Sequence, residues 1–100
     1  MVELKGSEKQ IKWANDIREC LLSACVGAID CLEQNNKEIF EKKGKRLKRL
    51  DKRIEVLKVV KTEFEENSDS SFFISNYSKL LNLDDEKCVN YMLEESLNRI

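Results

Sequence analysis

The sequence contains no proline and no histidine, and only three of its 100 residues are glycine. It also has no Asn-Gly or Asp-Gly pair, the strongest short signal for a β-hairpin. Apolar residues recur at helical rather than strand-like spacing through most of the chain. These features predict an all-α protein.

The absence of histidine removes the usual base of a Ser-His or Cys-His pair. No glycine-rich phosphate-binding loop is present, and the acidic pairs Asp84/Asp85 and Glu94/Glu95 are adjacent in sequence, so their side chains diverge on a helix. We therefore predict a protein that is not an enzyme and that uses no metal and no cofactor.

No stretch approaches the roughly 20 apolar residues of a membrane span, and the first ten residues lack the apolar run of a signal peptide. We expect a protein of the cytoplasm of the cell that makes it, without membrane contact. One hundred residues correspond to a single domain, residues 1–100, with one modest core.

The four cysteines do not form the CxxC pairs of a structural zinc site. Three of them, Cys20, Cys25 and Cys31, fall in one predicted helix, and the fourth is Cys88. We interpret all four as small buried apolar residues rather than disulfide partners or activated thiols.

Hydrophobic periodicity and capping signals predict a bundle of two long and two shorter helices. Their bounds are roughly residues 7–34, 37–66, 70–81 and 84–99. Ser7 and Gln10 fit a capping box at the first start, and residues 35–38, Asn-Asn-Lys-Glu, suggest a second cap. Because thirty helical residues measure about 45 Å, the second helix should project from the body, bend near Gly44 or pair with a partner. Its heptad-like apolar seam comprises Phe40, Leu47, Leu50, Ile54, Leu57 and Phe64.

Charge is strongly segregated along the chain. Residues 1–36 carry a net charge of −2, residues 37–61 carry eleven basic and four acidic side chains for a net +7, and residues 62–100 carry −6. On one continuous helix, five of the central cations lie within an arc of about 100°, away from the seam: Lys42, Lys45, Arg49, Lys52 and Arg53. Together with Arg46, they are the candidate partner-binding residues that we call the basic stripe: Lys42, Lys45, Arg46, Arg49, Lys52 and Arg53.

Three interpretations of the basic stripe remain open. It is a solvated helix face, a surface for nucleic acid or nucleoprotein, or a surface for an acidic protein or for the chain's own acidic half. A second candidate surface comprises Lys9, Trp13 and Arg18, although Trp at helical spacing is more often part of a core.

Residues 6–18, Gly-Ser-Glu-Lys-Gln-Ile-Lys-Trp-Ala-Asn-Asp-Ile-Arg, resemble an N-terminal signature of small proteins from phages, plasmids and conjugative elements of low-GC Gram-positive bacteria. That pattern is roughly S-x-K-Q-hydrophobic-x-W-A-x-x-I-R. The matching residues are Ser7, Lys9, Gln10, Ile11, Trp13, Ala14, Ile17 and Arg18. Residues 70–80 are similar to a later A-x-F-W-I-D-x-R stretch of such proteins, with Phe73 in the aromatic position and Tyr77 near the place of the final Arg.

The resemblance implies a mobile-element protein that acts by binding, and some proteins of this kind inhibit host defence, including anti-CRISPR proteins. Together with the basic stripe, this suggests a stoichiometric inhibitor of a host nucleoprotein, with a host protein, RNA or DNA as partner. The alternatives are a helical structural or assembly protein that forms a homodimer, and a DNA- or RNA-binding accessory factor.

Overall fold

The computed structural model describes residues 2–98, which form an all-α bundle of four α-helices, as predicted. The α-helices are α1 (Glu8–Lys43), α2 (Lys48–Glu66), α3 (Ser70–Tyr77) and α4 (Asp85–Asn98), and a 3₁₀ helix, Ser78–Asn82, joins the last two. No β-strand occurs within residues 2–98, and a single bridge pairs Lys5 with Asp69.

Helix α1 begins where the sequence predicts, at a complete capping box. The Ser7 hydroxyl accepts a hydrogen bond from the Gln10 N–H at 3.3 Å, and the Gln10 Oε1 accepts one from the Ser7 N–H at 3.1 Å. These bonds satisfy two backbone donors that the first turn of a helix leaves free.

The predicted break at residues 34–37 is wrong, because α1 continues without interruption to Lys43. Asn36 does not cap a helix; its buried side chain instead faces the start of α2. The helix stops at Gly44, whose φ of 73° and ψ of 11° place it in the left-handed region, and its N–H bonds to the Phe40 carbonyl at 2.8 Å. Glycine adopts this conformation at little steric cost, so the chain reverses here.

The longest dimension of the molecule is 53 Å, about the length expected for the 36 residues of α1. Helices α2, α3 and α4 all pack on α1, so α1 runs through the centre of the bundle. The buried residues of α1 are Ala14, Ile17, Arg18, Leu21, Ala24, Cys25, Ala28, Ile29, Leu32 and Asn36.

The predicted seam of α2 is used inside the molecule. Leu50, Ile54, Leu57 and Phe64 are buried in the common core, and Leu47 is partly buried against it. Phe40 was assigned to this seam wrongly, since it belongs to α1 and is 52% exposed.

The last two predicted helices also differ in detail. The third ends as an α-helix at Tyr77 and tightens into the 3₁₀ segment, and the fourth begins after Asp84, whose carboxylate accepts a hydrogen bond from the Lys87 N–H at 2.8 Å. The predicted end at residue 99 lies outside the described residues.

Two cysteines are buried as predicted, Cys25 and Cys88, whereas Cys31 is exposed and Cys20 is only partly buried.

Candidate binding surface at the turn between α1 and α2

The basic stripe does not lie on one helix, because the left-handed turn at Gly44 divides it. Lys42 is in the last turn of α1, Lys45 and Arg46 are in the connecting turn, and the remaining members are in the first two turns of α2. The predicted 100° arc on a single helix is therefore wrong. The turn nevertheless collects these residues at one end of the elongated bundle.

Two members of the stripe, Arg46 and Arg53, bond to other residues of the same chain. The Arg46 guanidinium forms an ion pair with the Asp51 carboxylate at 2.8 Å. The Arg53 Nε donates to the Ser96 hydroxyl at 3.1 Å, and its terminal nitrogen donates to the Leu93 carbonyl at 3.1 Å, which ties α2 to α4. In these two hydrogen bonds to α4, Arg53 therefore contacts a hydroxyl and a backbone carbonyl rather than an acidic side chain.

A buried asparagine fixes the geometry of the turn. The Asn36 Oδ1 accepts the Leu47 N–H at 2.9 Å, and its Nδ2 donates to the Asp51 carboxylate at 2.9 Å. Leu47 is the N-cap of α2 and makes no side-chain capping bond, and Asn36 of the neighbouring helix satisfies the backbone N–H of Leu47 itself.

The Asp51 carboxylate is the centre of this small polar cluster. Its hydrogen bond from Arg46 holds its pKa below the ordinary value, and the Asn36 amide acts in the same direction. The ionised form of Asp51 is therefore the form that joins α1, the turn and α2.

The other four members of the stripe are exposed, and three further exposed lysines on either side of the turn were omitted from the predicted stripe. We call the combined set the basic tip: Lys37, Lys42, Lys43, Lys45, Lys48, Arg49 and Lys52. The ion pairs found among residues 2–98 are Arg46 with Asp51 and Lys61 with Glu65. Neither includes a residue of the basic tip.

An exposed aromatic residue stands within the basic tip. Phe40 lies three residues after Lys37 and three before Lys43 on α1, a spacing that places all three side chains on one helical face. Sequence analysis missed this arrangement because it assigned Phe40 to an apolar seam. The interleaved Lys-x-x-Phe-x-x-Lys spacing was the available signal.

The second candidate surface is split by burial. Lys9 and Trp13 are exposed, with 45% of the Trp13 surface accessible, so Trp13 is not the core residue that its spacing suggested. Arg18 is only 4% exposed and donates hydrogen bonds to the Val2 carbonyl at 2.8 Å and the Asn67 carbonyl at 3.3 Å. Those hydrogen bonds fix the N-terminal segment beside the end of α2.

One acidic group lies at the end of α2 opposite the basic tip, although Glu38 and Glu41 are exposed on α1 between Lys37 and Lys42. Glu63, Glu65 and Glu66 occupy the last turn of α2, at the opposite end of this 19-residue helix from its basic start. A helix of this length spans about 28 Å, so opposite charges lie at opposite ends of α2.

Within residues 2–98, no three His, Cys, Asp or Glu side chains are grouped so that they could hold a metal ion. Among the described helices, none has the length and apolar character required to cross a membrane. Comparison with protein-family models, curated proteins and solved structures gave no match for this chain.

Proposed function

We propose that this protein acts by stoichiometric binding, with the basic tip contacting RNA or DNA, either free or within a nucleoprotein. The single observation that carries the proposal is the group of seven exposed cations gathered around one turn. Each cation that meets a phosphate releases condensed counterions, which favours association without any need for a catalytic group.

The exposed Phe40 ring favours unpaired nucleic acid as the target. Proteins that bind single strands combine cations that follow the backbone with aromatic rings on which bases stack. Phe40 between Lys37 and Lys43 has both elements on one face of α1. An acidic protein surface would use the cations but would have no particular need for an exposed ring among them.

In its more specific form, the proposal is that a phage or mobile element uses this protein to inhibit a host defence nucleoprotein, as anti-CRISPR proteins do. The support is the resemblance of residues 6–18 to the mobile-element signature, together with a basic tip suited to a nucleic-acid-containing target. In this form the protein works in the host bacterial cytoplasm.

The rival proposal of a dimerising assembly protein loses its original support. The apolar seam that would have paired with a second copy is buried against α1 within the same chain.

A DNA- or RNA-binding accessory factor would use the same basic tip and differs from the inhibitor in its biological target only.

The experiment is fluorescence anisotropy with short single- and double-stranded RNA and DNA between about 50 and 200 mM salt. The test variant changes Lys42, Lys45, Arg49 and Lys52 to Glu, and leaves Arg46 and Arg53 intact because they hold the fold. A matched control makes the same charge change at four exposed lysines outside both candidate surfaces, Lys5, Lys12, Lys79 and Lys87.

We expect salt-sensitive binding of single strands by the wild type, little binding by the tip variant and nearly unchanged binding by the control. Phe40→Ala should weaken single-strand binding by roughly five-fold or more, and should affect duplex binding less. Equal losses in the tip variant and the control, or no binding at low salt, would contradict the proposal.

The inhibitor form has a separate test. Purified protein is titrated into target-cleavage reactions of RNA-guided nucleases from low-GC Gram-positive bacteria. Stoichiometric inhibition ends at a fixed molar ratio of protein to nuclease and is lost in the tip variant. If the wild type and the tip variant inhibit equally, the basic tip is not the inhibitory surface.

A further inference from the structure

Two cysteines that are far apart in sequence have their thiols in contact. Cys20 on α1 and Cys88 in the first turn of α4 have their Sγ atoms 3.5 Å apart, although 68 positions separate them. A disulfide bond is about 2.05 Å long, so the sulfurs need to approach each other by only about 1.5 Å.

The two thiols differ in how far they are shielded. Cys88 is 3% exposed and its thiol donates to the Leu80 carbonyl at 3.4 Å, whereas Cys20 is only partly buried. Burial raises the pKa of the Cys88 thiol to about 11, so at neutral pH this thiol remains protonated and protected.

A small cleft leads to the pair. The volume of the cleft is about 130 Å³. One water molecule occupies roughly 30 Å³ in the liquid, so the cleft can hold an oxidant about the size of a water molecule. Its lining consists of Cys20, Ser23, Ala24, Asp85, Cys88 and Val89.

From this geometry we propose that Cys20 and Cys88 are an oxidisable dithiol that a peroxide converts to a reversible intramolecular disulfide between α1 and α4. Cys20, which is the more accessible, transfers its sulfur electron pair to one peroxide oxygen and becomes a sulfenic acid, with release of one water. The Cys88 sulfur then attacks the Cys20 sulfur, the S–O bond breaks, and a second water leaves. In total two thiols lose two electrons and two protons, and hydrogen peroxide is reduced to two waters.

The proposal is independent of the basic tip, because it concerns the contact between α1 and α4. A dithiol agent such as dithiothreitol returns the pair to thiols by exchange through a mixed disulfide. Oxidation closes a loop of nearly seventy residues, and a cross-link of that span restricts the unfolded chain strongly.

The test uses two variants that each retain Cys88 and one other thiol. Cys25→Ala with Cys31→Ser keeps the proposed pair, and Cys20→Ala with Cys31→Ser keeps Cys25 in its place. Each is treated with dilute hydrogen peroxide and analysed by intact mass and by alkylation of remaining thiols after denaturation. Circular dichroism establishes that both variants are folded before treatment.

The Cys25→Ala variant should lose about 2 Da and both alkylatable thiols, and its melting temperature should rise on the order of 10 °C until dithiothreitol is added. The Cys20→Ala variant should form no internal disulfide. The proposal is wrong if both variants or neither forms one.

If Cys25→Ala fails to fold, the chain carrying Cys31→Ser alone serves instead, with tandem mass spectrometry of the joined non-reduced peptides. A Cys20–Cys88 linkage supports the proposal, and a Cys25–Cys88 linkage or no linkage overturns it.

Discussion

At the scale of single residues, the basic stripe contains two kinds of cation that sequence alone does not distinguish. Arg46 and Arg53 donate hydrogen bonds to other residues of the chain, Arg46 at the surface and Arg53 partly buried, whereas Lys42, Lys45, Arg49 and Lys52 are exposed. Changing Arg53 to Glu would remove the donor to the Ser96 hydroxyl and one of the donors to the Leu93 carbonyl, and would place a carboxylate against both oxygens. A loss of binding in such a variant would therefore report on folding as much as on the surface.

Asn36 gives the clearest prediction for a single side chain. Asn36→Ala removes the acceptor of the Leu47 N–H and a donor to Asp51 from a fully buried site. We expect the free energy of unfolding to fall by roughly 1–3 kcal/mol in urea denaturation.

Asn35→Ala is the matched control, because Asn35 is exposed on the same turn of α1. Its effect should stay within about 0.5 kcal/mol. Similar losses in both variants would mean that the Asn36 hydrogen bonds do not stabilise the turn.

Asp51 adds a pH dependence at the same place. Because the hydrogen bond from Arg46 lowers the pKa of Asp51 in the folded state, its stabilising effect is present above the unfolded pKa of about 3.9 and is lost as pH falls through the folded pKa. We expect Asp51→Asn to be less stable than the wild type near neutral pH, and this difference to shrink as urea midpoints are measured at successively lower pH below about 4.

Asp16→Asn, at an exposed position of α1, serves as the control for the general effect of removing a carboxylate. If its difference from the wild type closes over the same pH range as that of Asp51→Asn, the effect is not specific to the Arg46 contact.

At the scale of helices, the close approach of α4 to α1 depends on Gly27. A Cβ atom added there would lie 2.8 Å from the Val89 Cγ2, well inside ordinary contact distance. Replacing an exposed helical glycine by alanine normally stabilises a helix by about 1 kcal/mol, but here the clash opposes that gain.

We therefore expect Gly27→Ala to lower stability by roughly 1–3 kcal/mol through overpacking. The double variant with Val89→Ala should recover part of this loss, because the smaller side chain makes room for the new methyl group. A double-mutant cycle in urea measures the coupling, and purely additive effects would show that the two helices adjust without a clash.

A helix boundary could be predicted from sequence when the hydrogen bonds that fix it join residues close together in the chain. The start of α1 was predictable because the Ser7 and Gln10 capping box is complete within four residues. The break predicted at residues 34–37 does not exist, because Asn36 lies in a stretch typical of a cap but forms hydrogen bonds with Leu47 and Asp51, which are distant in sequence.

The candidate surface shows the same division. Its overall charge was evident in sequence, since all of its cations fall in residues 37–61. Its shape depended on the left-handed Gly44, which converts one predicted helical stripe into a cluster around a turn. The exposure of Phe40 followed from that reversal and was hidden by a spacing that also fits an apolar seam.

At the scale of the whole molecule, the bundle is elongated and its α2 seam is already covered. Its Cα radius of gyration is 15.1 Å, against about 13 Å for a typical compact chain of this length. Burial of the seam residues within one chain leads us to expect a monomer.

Small-angle X-ray scattering at tens of micromolar should give the mass of one chain and a radius of gyration close to 15 Å. A doubled mass would restore the assembly-protein alternative. Concentration series for the wild type and for Val59→Glu, at an exposed apolar position of α2, would then show whether that face forms the contact.

The buried Arg18 has a practical consequence for attaching probes. By holding the Val2 and Asn67 carbonyls, its guanidinium anchors the beginning of the described chain beside the end of α2. About 39 Å of helix separates Arg18 from Gly44. A fluorophore or affinity handle joined ahead of Val2 would therefore sit far from the turn, so surface immobilisation through that end should leave the lysine-rich end free for ligands.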